Sequence, residues 1–125
     1  MCDDGTMPED SIFIEWREWA MKLDENIGKE FLISDAMKGY MQQAGFVDVV
    51  EKRFKVPLGP WSNNERYCEI GKYYEAFWRT GAQGWIMAPM TRFLGWTPER
   101  VNEFCQRAYN TIEERKQHVY YTAYN

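Results

Sequence analysis

Apolar residues recur along this chain with two different periods, and the switches between them mark its elements. Over residues 8–27, Ile12, Trp16, Trp19, Leu23 and Ile27 fall at three- and four-residue steps, the spacing that lines one face of an α-helix. Pro8 suits the first turn, Asp10 the positive end of the helix dipole, and Gly28 the stop. A second helix is predicted from Ser34, an N-capping residue. It carries Met37, Tyr40, Met41 and Ala44 on one face, and Gly45 is its left-handed terminator. The period then changes to two. Residues 44–61 read AGFVDVVEKRFKVPLGPW, with Val47 and Val49 on one side of a long strand and Val50, Phe54, Val56 and Leu58 on the other. The alternation slips between Val49 and Val50, which marks a β-bulge, and Pro57, Gly59 and Pro60 end the run.

A third helix is predicted from Asn63 or Asn64, with Tyr67, Ile70, Tyr74, Phe77, Trp78 and Gly81 along one side. Gly81, Gly84 and Pro89 interrupt it, so GAQGWIMAPMTRFLGW reads as a kinked or two-part helical segment. The clearest helix follows. Thr97 caps it, Pro98 fills its first position, Val101, Phe104, Cys105, Ala108, Tyr109 and Ile112 form its stripe, and ERKQ places bases at its negative end. HVYYTAYN, residues 118–125, is the second strand-like stretch. An isolated pair of strands is marginal in water, and open edges invite mispairing. These two strands are therefore expected to belong to a larger sheet, completed by a part of the polypeptide absent here or by another molecule.

The length of 125 residues suits one domain. Six Trp and eight Tyr favour pockets and interfaces where one end of a ring stays wet. The net charge of −4 argues against nucleic acid as the main partner. Residues 1–35 hold ten acids and three bases, whereas the remainder has nine acids and twelve bases; the acidic start reads as a solvated first helix. Cys2, Cys68 and Cys105 are widely spaced, which fits a reducing compartment and idle or buried thiols. The polar N-terminus is unlike a secretory signal, and no apolar run reaches the roughly 18 residues of a membrane span. An intracellular protein, cytoplasmic or nuclear and off the membrane, is expected.

The motif inventory excludes several chemistries. Neither G-x-G-x-x-G nor a phosphate-binding G-x-x-x-x-G-K-[ST] occurs. His118 is the single histidine, so no H-E-x-x-H or His-rich metal site is possible. Ser11, Ser34 and Ser62 lie outside any G-x-S-x-G.

Several stretches together carry a resemblance: DDGTMPEDS, W-R-E-W, AGFVDVVEKRFKVPLGPW, RFLGWTPERVNEF and ERKQHVYYTAY. Over residues 3–124 the chain resembles the C-terminal half of fungal LaeA-like methyltransferases, class I enzymes dependent on S-adenosylmethionine. The resemblance implies an α/β fold, a seven-stranded doubly wound sheet. Residues 1–60 would hold its last helices and sixth strand, 61–117 a helical insertion, and 118–125 the seventh strand, antiparallel to its neighbour. The first five strands and the cofactor's glycine-rich loop would precede Asp3, so the chain reads as a truncated product, a mispredicted gene fragment or one half of a split enzyme, expected to be inactive alone.

It further implies methyl transfer to a small-molecule acceptor in fungal secondary metabolism, with no cofactor expected to bind this chain alone. Trp61, Tyr73, Trp78, Trp85 and Met90 are candidates for the acceptor pocket, each open also to a core-packing role. His118 is a candidate proton acceptor, open also to a structural role. Tyr73, off the third helix's stripe, is the better pocket candidate. The alternative is a non-catalytic module that docks to a protein partner or companion half-enzyme. Marginal stability is expected of the chain alone.

Overall fold

Among the described residues of the computed structural model, 1–29 and 33–125, the elements run α1 (Ile12–Ile27), α2 (Met37–Gln43), β1 (Arg53–Pro57), α3 (Glu65–Phe93), α4 (Pro98–Glu114) and β2 (Tyr120–Tyr124). The fold is mostly helical with a two-stranded antiparallel sheet, compatible with an α/β class. α1 starts at Ile12 rather than near Pro8, because the Ser11 hydroxyl accepts from the Phe13 N–H at 3.2 Å and caps it there. It stops as expected at Gly28, which takes a left-handed φ of 68°. α2 begins at Met37 without a side-chain cap, and Ser34 lies instead in a short 3-10 turn, Ile33–Asp35. Its end follows the expectation: Gly45 has φ 92°, its N–H bonds the Gln42 carbonyl, and the Phe46 N–H bonds the Met41 carbonyl.

The long strand predicted over residues 44–61 is shorter than its sequence suggests. Phe46, Val47 and Val50 are 60%, 84% and 72% exposed, and Asp48 takes a left-handed φ of 55°. The slip near Val49 is therefore a turn in irregular chain, not a bulge in a ladder; aspartate tolerates that conformation. A strand exists only where a partner can pair with it, and β2 supplies five residues. Arg53 faces Tyr124, Lys55 faces Thr122 and Pro57 faces Tyr120. Backbone bonds between Lys52 and Asn125, and from the Leu58 N–H to the Val119 carbonyl, extend the pairing at both ends.

The predicted break in the third helix is absent. α3 runs unbroken through Gly81, Gly84 and Pro89 for 29 residues. Pro89 removes one N–H, the donor to Trp85, which lies on the exposed side of the helix. The opposite face holds the helix together: Ala82, Ile86 and Met90 pack against Val101, Phe104 and Ala108 of α4, with Ile12 and Leu23 of α1. Ile86, Met90 and Val101 are fully buried, each contributing about 1.5–3 kcal/mol in removal from water. The predicted stripe through Tyr67 and Phe77 is corrected, since both are more than 40% exposed. A long helix changes partners along its length, and the N-terminal half of α3 serves the sheet. Trp96 closes the core between Trp19 and Phe104, with ring centroids at 4.8 and 5.6 Å.

Sheet and helices meet at two glycines. The turn Leu58–Gly59–Pro60 after β1 is buried, and the Gly59 backbone crosses α3 at Gly71. A Cβ on Gly71 would stand 2.1 Å from the Gly59 carbonyl oxygen, and one on Gly59 would meet Ile112. On the far edge of β2, Met1 exchanges two backbone-type bonds with Tyr120. Asp3 then pairs with Lys55 and accepts from the Tyr120 hydroxyl. Among the described residues, the outward backbone groups of Thr122 and Tyr124 have no comparable strand partner.

Two outcomes follow for stability. Gly71→Ala is expected to lose about 1–3 kcal/mol by overpacking a backbone contact. Gly84→Ala, where nothing lies within 4 Å, is expected to gain about 0.5–1 kcal/mol; urea denaturation of both variants measures the contrast. Asp3 is held below its ordinary value of 3.8, first by the Lys55 bond and then by Tyr120. A depressed folded value means that the unfolded chain binds the proton more readily. The Asp3 contribution is thus present above pH 3.8 and lost as pH falls below it. Asp3→Asn is expected to flatten that acid limb in urea melts compared across the interval.

Candidate functional site

α4 ends at Glu114, one residue before the ERKQ bases could enter its last turn, because Arg115 takes a left-handed φ of 56°. The chain reverses there, which delivers His118 to the start of β2. Trp61 arrives from the other side, out of the glycine turn at the carboxyl end of β1. The two rings stack, with centroids 4.8 Å apart and planes inclined by 20°. Trp61 is fixed by its indole N–H, which donates to the Val119 carbonyl at 2.9 Å.

The N-terminal segment completes the site. The His118 backbone N–H donates to Thr6 Oγ1 at 2.8 Å, and His118 Nδ1 lies 2.6 Å from Asp4 Oδ2. Asp4 Oδ1 accepts from the Thr6 hydroxyl at 2.8 Å, the Thr6 N–H at 3.1 Å and the Cys2 thiol at 3.1 Å. These bonds, that of His118 foremost, hold the Asp4 carboxyl far below its ordinary range. The imidazole is 35% exposed. It is therefore pinned by three contacts and still reachable. Among the described residues Nε2 has no protein partner.

Asp4, Thr6 and Cys2 were not singled out from the sequence. A local signal existed, since Asp–Gly–Thr suits a turn in which the carboxylate accepts from the N–H two residues on, and Gly5 has φ 73°. Nothing local, however, connects residue 4 to residue 118.

The other aromatic candidates lie elsewhere. Tyr73 is 73% exposed and lines a groove of about 390 Å³ with Val56, Ile70, Tyr74, Phe77 and Tyr121. Burial there pushes the Tyr74 hydroxyl up to about 12. Trp78 lines a separate groove of about 330 Å³ between α3 and α4, with Gln83, Asn102, Cys105 and Tyr109. Its indole N–H is buried and has no hydrogen-bond partner among the described residues. Trp78 and Trp85 both touch Trp16, at 6.5 and 6.0 Å between centroids. Met90 is fully buried in the core between α3 and α4. Only Trp61 and His118, of the candidates named, share one site. Among the described residues no cluster suited to a metal ion is found, and no helix is long and apolar enough to cross a membrane.

No family model matches the chain, and no solved structure matches it. Methyltransferase pytC of Aspergillus terreus is 32% identical over 99 residues, 79% of this chain and 31% of that protein. Secondary metabolism regulator LAE1 of Cochliobolus heterostrophus is 28% identical over 120 residues, 95% of this chain and 39% of its own length. Protein-methionine methyltransferase laeA of Chaetomium globosum is 26% identical over 121 residues, 96% of this chain and 38% of its own. The chain spans about a third of the length of these relatives. The chain is thus similar, through most of its own length, to fungal methyltransferases and LaeA/LAE1 regulators of secondary metabolism.

Proposed function

We propose that this chain supplies the acceptor side of an S-adenosylmethionine-dependent methyltransferase acting in fungal secondary metabolism. In this reading it works joined to the strands that hold the cofactor. The observation that carries the proposal is similarity over 79% to 96% of the chain to proteins named methyltransferase or regulator of secondary metabolism. The position of the Trp61–His118 pair supports it. Ligands of open α/β sheets sit at the carboxyl ends of the strands, and this pair lies beyond the carboxyl end of β1. Among the described residues the outward backbone groups of Thr122 and Tyr124 lack a strand partner, which supports the need for further strands, as a lone two-stranded sheet is marginal.

In this reading the described residues do not hold the cofactor by themselves. The glycine turn that follows β1 is filled by protein: Ile112 lies against Gly59, and Gly59 against Gly71. When bound in a complete site, the cofactor would supply an electrophilic methyl group. The residues here would hold and orient the acceptor, which is the larger part of such catalysis when two reactants must be aligned. Trp61 and His118 are the proposed acceptor contacts.

A second reading, a non-catalytic docking module, is favoured by a different observation. Among the described residues, Met37, Tyr40, Phe46, Val47 and Val50 are large apolar side chains left exposed, and exposed apolar surface marks interaction sites where it is contiguous. Calorimetric titration with S-adenosylmethionine separates the two. The methyltransferase reading expects no saturable binding by the chain alone, and micromolar binding once a companion polypeptide carrying a glycine-rich first strand is added. Binding to neither preparation contradicts it and supports the docking module; saturable binding to the chain alone contradicts the shared-site arrangement.

A further inference from the structure

We infer that the acceptor served by this chain is protic, a hydroxyl or an amine, and that His118 Nε2 removes its proton while Asp4 acts as the positioning residue. The inference rests on the methyltransferase reading and narrows its substrate class. A thioether acceptor has no proton to lose, so a positioned base would be idle beside it.

The argument starts from the tautomer. A neutral imidazole carries one N–H and one lone pair, and the partner of one nitrogen decides which is which. Asp4 Oδ2 stands 2.6 Å from Nδ1. An ionised carboxylate only accepts, so the proton belongs on Nδ1 and the lone pair on Nε2. Asp4 stays ionised because its other oxygen receives three donors, from the Thr6 hydroxyl, the Thr6 N–H and the Cys2 thiol. The residue is held at two further points: Trp61 stacks on the face of its ring, and Thr6 accepts from its backbone N–H. A surface ion pair serving only as a tie would need none of this, and such pairs contribute little to stability. The Thr6 bond already ties the N-terminal segment to residue 118.

The step balances simply. The acceptor O–H or N–H bond breaks, an Nε2–H bond forms, and the electron pair stays on the acceptor atom as the nucleophile. The imidazolium so formed lies against the Asp4 carboxylate, which compensates its charge. Positioned general bases of this kind contribute about 10²–10⁴-fold to a rate.

The test uses the intact chain and para-nitrophenol, a protic probe whose phenolate is coloured, held slightly below the pH of its own half-ionisation. Adding the wild-type chain is expected to raise phenolate absorbance saturably. The gain should be lost in His118→Gln and diminished in Asp4→Ala, while a dialkyl thioether does not compete. Nitrogen-15 shifts of the single histidine are expected to show the Nδ1–H tautomer in the wild type without any variant. An equal signal in wild type and His118→Gln, no signal at all, or an Nε2–H tautomer in the wild type overturns the inference. These readouts need no cofactor, so failure of the methyltransferase reading leaves them standing and is seen only in the calorimetric titration.

Discussion

The arrangement depends on one close approach of backbone to backbone, the Gly59 carbonyl against the helix at Gly71. Two strands far apart in sequence cannot form a durable sheet by pairing alone. Here the ladder is laid against a helical platform whose rigidity comes from the seam of Ile86, Met90 and Val101. The glycines let the turn after β1 sit directly on α3, with Ile112 of α4 beneath it. That contact fixes where Trp61 emerges, and therefore where the stack with His118 forms. A methyl group at position 71 would push the turn away and move the aromatic wall with it.

The two faces of the sheet then take different roles. Val56 and Tyr121 face α3, where Tyr74 lies 4.7 Å from Tyr121 between ring centroids. The other face carries Lys55, Tyr120 and Tyr124, and acids cover it: Asp3 on Lys55 and Tyr120, Asp35 on Tyr124. The acidic excess of residues 1–35, expected to be a solvated helix face, is thus partly spent on this sheet. Asp4 belongs to the same strap, and its placement on His118 makes the N-terminal segment part of the candidate site.

Much of the helical architecture was legible in local sequence. Thr97 and Pro98 start α4 as expected, and Val101, Phe104, Ala108 and Ile112 are its buried stripe. Gly28 and Gly45 stop their helices in left-handed conformations. The errors have a common physical origin, which is that tertiary partners decide what local pattern cannot. β1 is short because β2 is short. α3 passes through Pro89 because its packed face outweighs one missing hydrogen bond. Met90 looked like pocket lining and is core, because the helix that carries it is continuous. Trp61 and His118 could be nominated singly, but their stacking, and the role of Asp4, depend on contacts across more than fifty positions in the chain.

The central claim is that docking on α3, rather than strand pairing itself, stabilises the β1–β2 ladder. Native-state amide hydrogen exchange tests it most directly, because opening free energies differ between packed and unpacked segments. The Leu58 amide, which bonds Val119, should exchange nearly as slowly as the amides of Ile86 and Phe104 in the seam. The amides of α2, whose face is exposed, should exchange fast. A ladder that exchanges as fast as α2 while the seam stays protected would contradict the account.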